Sequence, residues 1–166
     1  MADKPINVLF LCTHNSARSI LAEAMLNHLG NGKFKGFSAG SSPRENQKPN
    51  PLGLQVLQNA GISTHGLGSK SWDEFAKPDA PQMDLVITVC DNAAGEVCPF
   101  WPGQPATAHW SYSDPSVGNG TDTEKLEAFR QTLFLIRRRI ELLVNLPVIS
   151  VSKLMLQTSA RELAKI

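Results

Sequence analysis

Residues 6–19 read INVLFLCTHNSARS, an apolar run followed by a polar loop and the start of a helix. The first six residues are large and apolar or β-branched with one exception, which is typical of a strand buried on both faces of a sheet. From Ala17 to Leu29 apolar residues recur at the spacing of a helix, and Gly30 follows where a helix commonly ends. This stretch therefore predicts a strand, a short loop and a helix, the repeating unit of an α/β fold.

The same alternation continues along the chain. In the long helix that a capping-box pattern opens at Thr121, apolar residues recur three and four positions apart, which predicts one core-facing side. Strands alternating with helices indicate a single doubly wound, four-stranded parallel sheet flanked by helices, forming one domain over residues 1–166. The further expected elements are strands at 34–39, 84–89 and 107–112, helices at 51–60, 121–146 and 152–165, and a helical turn at 72–75.

Three finer expectations concern which side chains face the core. In the second helix we expect Leu54 and Leu57 to point inward. In the long helix the inward residues are Leu126, Phe129, Leu133, Ile136, Ile140 and Leu143. Because Arg137, Arg138 and Arg139 lie between inward positions, we expect a solvated face there rather than a nucleic-acid patch.

Composition excludes several classes of protein. With 166 residues of which 42% are apolar, the chain has enough material for a core without disulfides or a structural metal. A net charge of +1 gives no basic surface for nucleic acid. No apolar run is long enough to span a bilayer, and the run at 6–11 is too short for a signal peptide. We therefore expect a cytoplasmic protein, without nucleic-acid or membrane partners, whose three cysteines remain thiols.

The loop from Cys12 to Ser19 has the spacing C-x5-R-S and joins a strand to a helix. Such a loop can direct backbone N–H groups at one tetrahedral oxyanion, and Arg18 adds a planar fork for two of its oxygens. Cys12 at the base of this positive cup is then a reactive thiolate, Asn15 suits a left-handed position, and Ser19 can donate to the sulfur. The expected anion-binding residues are Thr13, His14, Asn15, Ser16, Ala17, Arg18 and Ser19. The plainer alternative is a buried cysteine that ends a strand and a solvated arginine.

A second cysteine, Cys90, also follows a predicted buried strand. Ligands of parallel sheets bind beyond the carboxyl ends of the strands. Cys12 and Cys90 should therefore lie at the same edge of the sheet, close together in space although far apart in sequence.

Five segments resemble one known family. FLCTHNSARS is similar to the phosphate-binding loop of the low-molecular-weight tyrosine phosphatase superfamily. SAGSSP, GLGSKSWDEF, TVCDNAAGEVCPFWPG and TAHWSYSDP resemble the arsenate reductase branch of that superfamily, so the resemblance extends over about residues 6–145. It implies reduction of arsenate to arsenite in arsenic detoxification, on the fold that the periodicity already predicts.

The resemblance also implies roles for particular residues. Cys12 is the nucleophile, Cys90 the resolving thiol and Cys98 the last cysteine of a disulfide relay, while Asp114 in Asp-Pro is the general acid, although Asp-Pro alone is also a common turn. Thioredoxin or a glutathione–glutaredoxin system would regenerate the thiols, with no tightly bound cofactor and no metal. In members that use glutathione directly, the small molecule supplies the resolving sulfur, and Cys98 loses its role.

Other functions remain open at this point. A phosphatase acting on phosphomonoesters needs only one thiol, but the residues at 116–120, small and flexible, lack the aromatic wall of tyrosine phosphatases, which favours a small inorganic anion. A thiol redox sensor or arsenite-binding module would leave Arg18 without a task. Zinc at Cys90, Cys98 and His109 is disfavoured by the wide cysteine spacing. The sequence does not decide which thiol system is used, whether Cys98 is essential, whether phosphatase activity persists, whether a cation is required, or the oligomeric state.

Overall fold

The computed structural model describes residues 5–90, 105–117, 120–146 and 153–166. Within these ranges four strands form one parallel sheet flanked by helices, so the predicted fold class is confirmed. The strands are β1 (Ile6–Cys12), β2 (Phe34–Gly40), β3 (Leu85–Thr88) and β4 (Ala106–His109). Their order in the sheet is β2-β1-β3-β4. The helices are α1 (Arg18–Leu29), α2 (Pro51–Asn59), α3 (Asp122–Val144) and α4 (Lys153–Leu163), with a 3-10 turn at Trp72–Phe75.

The central strand β1 is buried on both faces, as its continuous apolar sequence predicts. Val8 and Phe10 join the larger core cluster, which contains residues of α1 and α3, whereas Leu9 and Leu11 join a second cluster on the opposite face with Trp72. This alternation follows from the two-residue repeat of a strand. Both faces of β1 must therefore be covered, and a ligand of such a sheet binds beyond the carboxyl end of the strand, where the next loop begins.

Helix α3 follows the predicted pattern. The Thr121 hydroxyl accepts a hydrogen bond from the backbone N–H of Glu124 at 3.2 Å, which caps the first turn. Leu126 is half-buried, and the other residues of the predicted stripe are buried: Phe129, Leu133, Ile136, Ile140 and Leu143.

Strand β4 is shorter than predicted, because it ends at His109 instead of continuing to residue 112. Its partner β3 ends at Thr88, whose carbonyl accepts the Trp110 N–H at 2.8 Å as the last bond of the ladder. Beyond that point no β3 backbone remains to pair with. The Trp110 side chain enters the core instead, where its indole N–H donates to the Ala160 carbonyl at 2.9 Å.

Two predictions about exposure were wrong. Leu54 is half-exposed and lines a cleft, while Val56 and Leu57 carry the buried side of α2. Arg139 is half-buried: its guanidinium donates to the Ala164 carbonyl at 3.1 Å and lies 4.9 Å from the centre of the Tyr112 ring. The C-terminal residues after α4 and the segment after β4 both reach this side of α3, which helical periodicity alone does not reveal.

In the described ranges, no helix combines the length and the apolar character needed to cross a membrane.

Tyr112 provides a spectroscopic test of this packing, because it is the single tyrosine of the chain. Burial of the phenol raises its pKa to about 12 from an ordinary 10.0, against the opposing charge of Arg139. We expect the tyrosinate absorbance of the native protein to develop near pH 12, and near pH 10 once the chain is unfolded in guanidinium. Since only the unfolded chain loses this proton between those values, stability should fall as pH rises through the window, by on the order of 2–3 kcal/mol. A native titration near pH 10 would contradict the packing.

Candidate active site

The loop between β1 and α1 is held from outside through its carbonyl oxygens. The Cys12 and Thr13 carbonyls accept the N–H groups of Ser41 and Ser42 at 3.0 and 2.8 Å, and the Ser16 carbonyl accepts the Asn50 N–H at 2.8 Å. In a trans peptide the N–H points opposite to the C=O of the same unit. The N–H groups that follow these carbonyls therefore point into the loop, as an oxyanion site requires.

Asn15 gives the loop its shape. It adopts the predicted left-handed conformation, with φ of 55°, and is fully buried. Its carbonyl accepts the Ser69 hydroxyl at 2.5 Å, and its side-chain oxygen accepts the Lys70 N–H at 2.9 Å. Gly40, the last residue of β2, lies directly against the loop. A Cβ atom added at Gly40 would lie 2.7 Å from the Thr13 carbonyl oxygen and 2.9 Å from the Asn15 nitrogen. The loop thus packs directly against a strand that has no side chain at this position.

Cys12 lies at the base of the loop and is buried. Its sulfur is 2.8 Å from the Ser19 hydroxyl oxygen and 3.3 Å from the Asn15 nitrogen, whose N–H donates to it. Within the described residues, no side chain caps the N-terminus of α1 and its first turn holds no acidic residue, so the positive end of the helix dipole is free to favour an anion. The sulfur thus lies at the base of the loop, with two hydrogen-bond contacts and the N-terminus of α1 beside it.

The second described thiol lies beside this loop. Cys90 is buried, and its sulfur is 3.6 Å from the Thr13 hydroxyl oxygen. Backbone pairing continues past β3, since the Val89 N–H donates to the Leu11 carbonyl at 2.8 Å. The structure therefore brings Cys12 and Cys90 to the same edge, although Cys12 is the last residue of β1 rather than the one after it and Val89 separates β3 from Cys90. Cys98 lies outside the described residues.

Arg18 and Asp114 face each other at the loop. Arg18 Nη2 is 3.5 Å from Asp114 Oδ2, and Arg18 Nη1 donates to the Tyr112 carbonyl at 3.0 Å. The other carboxylate oxygen, Asp114 Oδ1, accepts the backbone N–H of Ser116 at 2.9 Å and its hydroxyl at 2.6 Å. The guanidinium is thus held in place before an anion arrives, with a partly exposed carboxyl group beside it.

A cleft of about 1090 Å³ lies beside the loop, and its lining includes neither Cys12 nor Arg18. His14 and Ser16 line it from the loop, whereas Ala17 is buried at the start of α1 and Thr13 lies on the side of Cys90. The opposite side is the segment between β2 and α2, which contributes Arg44 and other residues up to 51. Of the predicted loop residues, only some therefore face the open cleft.

Sequence reasoning gave no role to Ser38, Gly40, Ser69 and Lys70, which support the loop from behind. Their segments, SAGSSP and GLGSKSWDEF, carry part of the family resemblance. That resemblance was the available signal, but it does not say what each residue contacts.

Residues 7–154 match the sequence model of the low molecular weight phosphotyrosine protein phosphatase family. The chain belongs to this family. The resemblance expected from the sequence is confirmed, and so is the fold that it implies.

Several proteins that this chain resembles in sequence are arsenate reductases. It is 33% identical over 134 residues to an arsenate reductase of Halalkalibacterium halodurans, covering 81% of this chain and 91% of the relative. It is 30% identical over 137 residues to a glutaredoxin arsenate reductase of Synechocystis, covering 82% of this chain and 95% of the relative.

Solved structures agree with these relatives. A structure described as an arsenate reductase in the phosphate binding state superposes with a TM-score of 0.66 at 29% identity, over 84% of this chain and 96% of that one. A thioredoxin-dependent arsenate reductase of Corynebacterium glutamicum superposes with a TM-score of 0.55 at 27% identity, over 86% of this chain and 65% of that one.

The close approach of Gly40 to the loop predicts the effect of a single methyl group. We expect Gly40→Ala to displace the loop backbone, to weaken binding of phosphate, a stable tetrahedral oxyanion, and to destabilise the fold by about 1–3 kcal/mol. Calorimetric titration with phosphate and urea unfolding measure the two effects. Gly68→Ala is the matched control, since nothing lies within 4 Å of a Cβ built there. Wild-type phosphate affinity in Gly40→Ala would show that the loop does not depend on this contact.

Proposed function

We propose that this protein reduces arsenate to arsenite, with Cys12 as nucleophile and Cys90 as the resolving thiol. We call the loop from Cys12 to Ser19 the anion loop. The observation that carries the proposal is that the Cys90 thiol lies beside this loop, with its sulfur 3.6 Å from the hydroxyl oxygen of Thr13. Ester hydrolysis on such a loop needs one thiolate, whereas reduction of arsenic(V) needs two electrons from a pair of thiols. The arsenate reductases among the relatives support the same choice.

Arsenate would occupy the loop in place of the contact between Arg18 and Asp114. The guanidinium, 3.5 Å from Asp114 in the anion-free structure, can turn its planar fork to two arsenate oxygens. The inward N–H groups and the N-terminus of α1 would bind the remaining oxygens. These donors are already in place, which lowers the cost of binding.

In the first step the Cys12 thiolate attacks arsenic. A sulfur–arsenic bond forms, one arsenic–oxygen bond breaks, and the departing oxygen leaves as water after it has taken a proton. Asp114 would supply that proton, because its carboxyl group lies beside Arg18, which would hold the arsenate oxygens. The two hydrogen bonds from Ser116 hold the carboxyl group in position for this transfer.

In the second step the Cys90 thiolate attacks the Cys12 sulfur. A disulfide forms, the sulfur–arsenic bond breaks, and its electron pair stays on arsenic, which leaves as arsenite. Two thiols are oxidised while arsenic(V) becomes arsenic(III), so electrons balance. A disulfide between Cys12 and Cys90 requires their Cα atoms to lie about 4.4–6.8 Å apart.

Turnover then requires a thiol donor, which we propose to be thioredoxin or the glutathione–glutaredoxin system. Relatives of both kinds resemble this chain, a glutaredoxin arsenate reductase and a thioredoxin-dependent one. Cys98 would then attack the Cys90 sulfur, which forms a Cys90–Cys98 disulfide and breaks the Cys12–Cys90 bond, so that the Cys12 thiolate is released for another turnover. The donor would reduce the Cys90–Cys98 disulfide to two thiols. If glutathione supplies the resolving sulfur directly, Cys98 is dispensable.

The decisive experiment couples arsenate reduction to NADPH consumption. The protein is assayed with thioredoxin and thioredoxin reductase and, separately, with glutathione, glutaredoxin and glutathione reductase. We expect arsenate-dependent oxidation of NADPH with one system, and none for Cys12→Ser with either. Failure with both systems, together with rapid cleavage of an aryl phosphate, would identify a phosphatase instead. Stoichiometric arsenite binding without turnover would identify a sensor or arsenite-binding module.

Cys90→Ser tests the resolving step. We expect steady-state reduction with thioredoxin to fall to the background of Cys12→Ser, because the arsenic adduct on Cys12 then lacks the thiol that we propose to release it. Phosphate binding, measured by calorimetry, should remain, since the loop is intact. Thiol titration adds a direct count: the wild-type protein should lose two thiols for each arsenite released. Full activity of Cys90→Ser with thioredoxin would remove Cys90 from the mechanism.

A further inference from the structure

A continuous line of hydrogen bonds runs behind the anion loop from a carboxylate to the nucleophilic sulfur. Glu23 Oε1 accepts the Ser38 hydroxyl, and Ser38 Oγ accepts Asn15 Nδ2 at 3.0 Å. Asn15 Nδ2 also donates to Ser19 Oγ at 2.8 Å, and Ser19 Oγ is 2.8 Å from Cys12 Sγ. These five residues form what we call the inner hydrogen-bond chain.

The direction of each bond in the inner hydrogen-bond chain follows from its chemistry. The Lys70 N–H donates to Asn15 Oδ1 at 2.9 Å, which fixes the orientation of the amide. An amide nitrogen only donates, and the Asn15 side chain donates its two hydrogens to the hydroxyl oxygens of Ser38 and Ser19. Each serine therefore keeps one hydrogen of its own. That of Ser38 goes to Glu23, and that of Ser19 is directed to the Cys12 sulfur.

Lys70 supplies the positive charge at the far end of this chain. Its ammonium group donates to the Ser38 carbonyl at 3.1 Å and to the Gly68 carbonyl at 2.6 Å. Ser38 therefore bridges the two charged residues, through its hydroxyl to Glu23 and through its carbonyl to Lys70. The Lys70 carbonyl also accepts the Gly40 N–H at 2.8 Å, so the lysine is fixed to the strand that supports the loop.

The charge state of Glu23 depends on this arrangement. Burial raises the pKa of the Glu23 carboxyl, and the Ser38 hydrogen bond and the Lys70 charge lower it. An ionised carboxylate is purely an acceptor, so it holds the Ser38 hydroxyl in the direction that leaves Ser38 Oγ facing Asn15. A neutral group at Glu23 would compete as a donor and weaken the hold on the Asn15 amide.

We propose that Glu23 and Lys70 are positioning residues for Cys12: both hold Ser38, Glu23 through its hydroxyl and Lys70 through its carbonyl, and Ser38 directs the inner hydrogen-bond chain so that Ser19 donates to the sulfur. Neither residue contacts the thiol itself. The inference rests on Cys12 being the nucleophile of the proposed function. It adds two half-buried charged residues, joined through Ser38, that act on the sulfur without contacting it.

The test is the rate at which iodoacetamide alkylates Cys12, followed by mass spectrometry over a range of pH. This readout needs no arsenate, so it stays informative whether or not the protein proves to be a reductase. We expect Glu23→Gln and Lys70→Met each to slow alkylation at neutral pH about three- to tenfold, the size of a weakened hydrogen bond to a charged group, and to move the alkylation profile to higher pH. Ser19→Ala should change the profile in the same direction.

The double variant separates a shared pathway from two independent effects. If Glu23 and Lys70 both act through Ser38, Glu23→Gln combined with Lys70→Met should be no slower than the slower single variant, since residues in one network are not additive. In the reductase assay kcat should fall with little change in KM. Glu74→Gln and Lys77→Met are the matched controls, because they make the same two changes at exposed residues shortly after Lys70.

Two outcomes would overturn the proposal. One is a wild-type alkylation profile in both Glu23→Gln and Lys70→Met. The other is slower alkylation that accompanies an equal loss of near-ultraviolet circular dichroism, which would show that the residues only stabilise the fold. Glu23→Gln keeps the shape of the side chain, so it remains usable if Lys70→Met does not fold.

Discussion

The parallel pairing of β1 with β3 is the constraint on which the site depends. Leu11 pairs with Thr88, and one further backbone bond joins Val89 to Leu11 before the strands separate. Chains leaving neighbouring parallel strands emerge at the same edge, so the two thiols reach one place although no local sequence links them. The last five residues of β1, including Cys12, are buried, so the nucleophilic candidate lies at the base of the site rather than on its surface.

The anion loop owes its geometry to segments outside it. Hydrogen bonds from the β2–α2 segment hold its carbonyls, and glycine at position 40 lets β2 approach its backbone. Arg18 is restrained in the same way by the Tyr112 carbonyl and Asp114. A site whose donors are oriented before binding loses little freedom when an oxyanion arrives, and it can stabilise charge that develops during the reaction.

Much of this was predictable because it depends on local pattern. The apolar run of β1, the stripe of α3 and the C-x5-R-S spacing predicted the fold and the loop, and the left-handed Asn15 and the Ser19 contact with sulfur followed from the same reasoning. The end of β4 and the burial of Arg139 were not predictable in this way. Both depend on what lies opposite, and periodicity within one element carries no information about its neighbours.

The sequence by itself determined the order of strands and helices, the anion loop and the presence of thiols that could donate electrons. The tertiary structure decided that Cys90 lies beside Thr13, that Arg18 meets Asp114, and that Glu23 and Lys70 share Ser38 behind the loop. The physical reason is that backbone propensity and apolar spacing act over a few residues. Hydrogen bonds between side chains distant in sequence form only once the sheet has fixed where each strand ends.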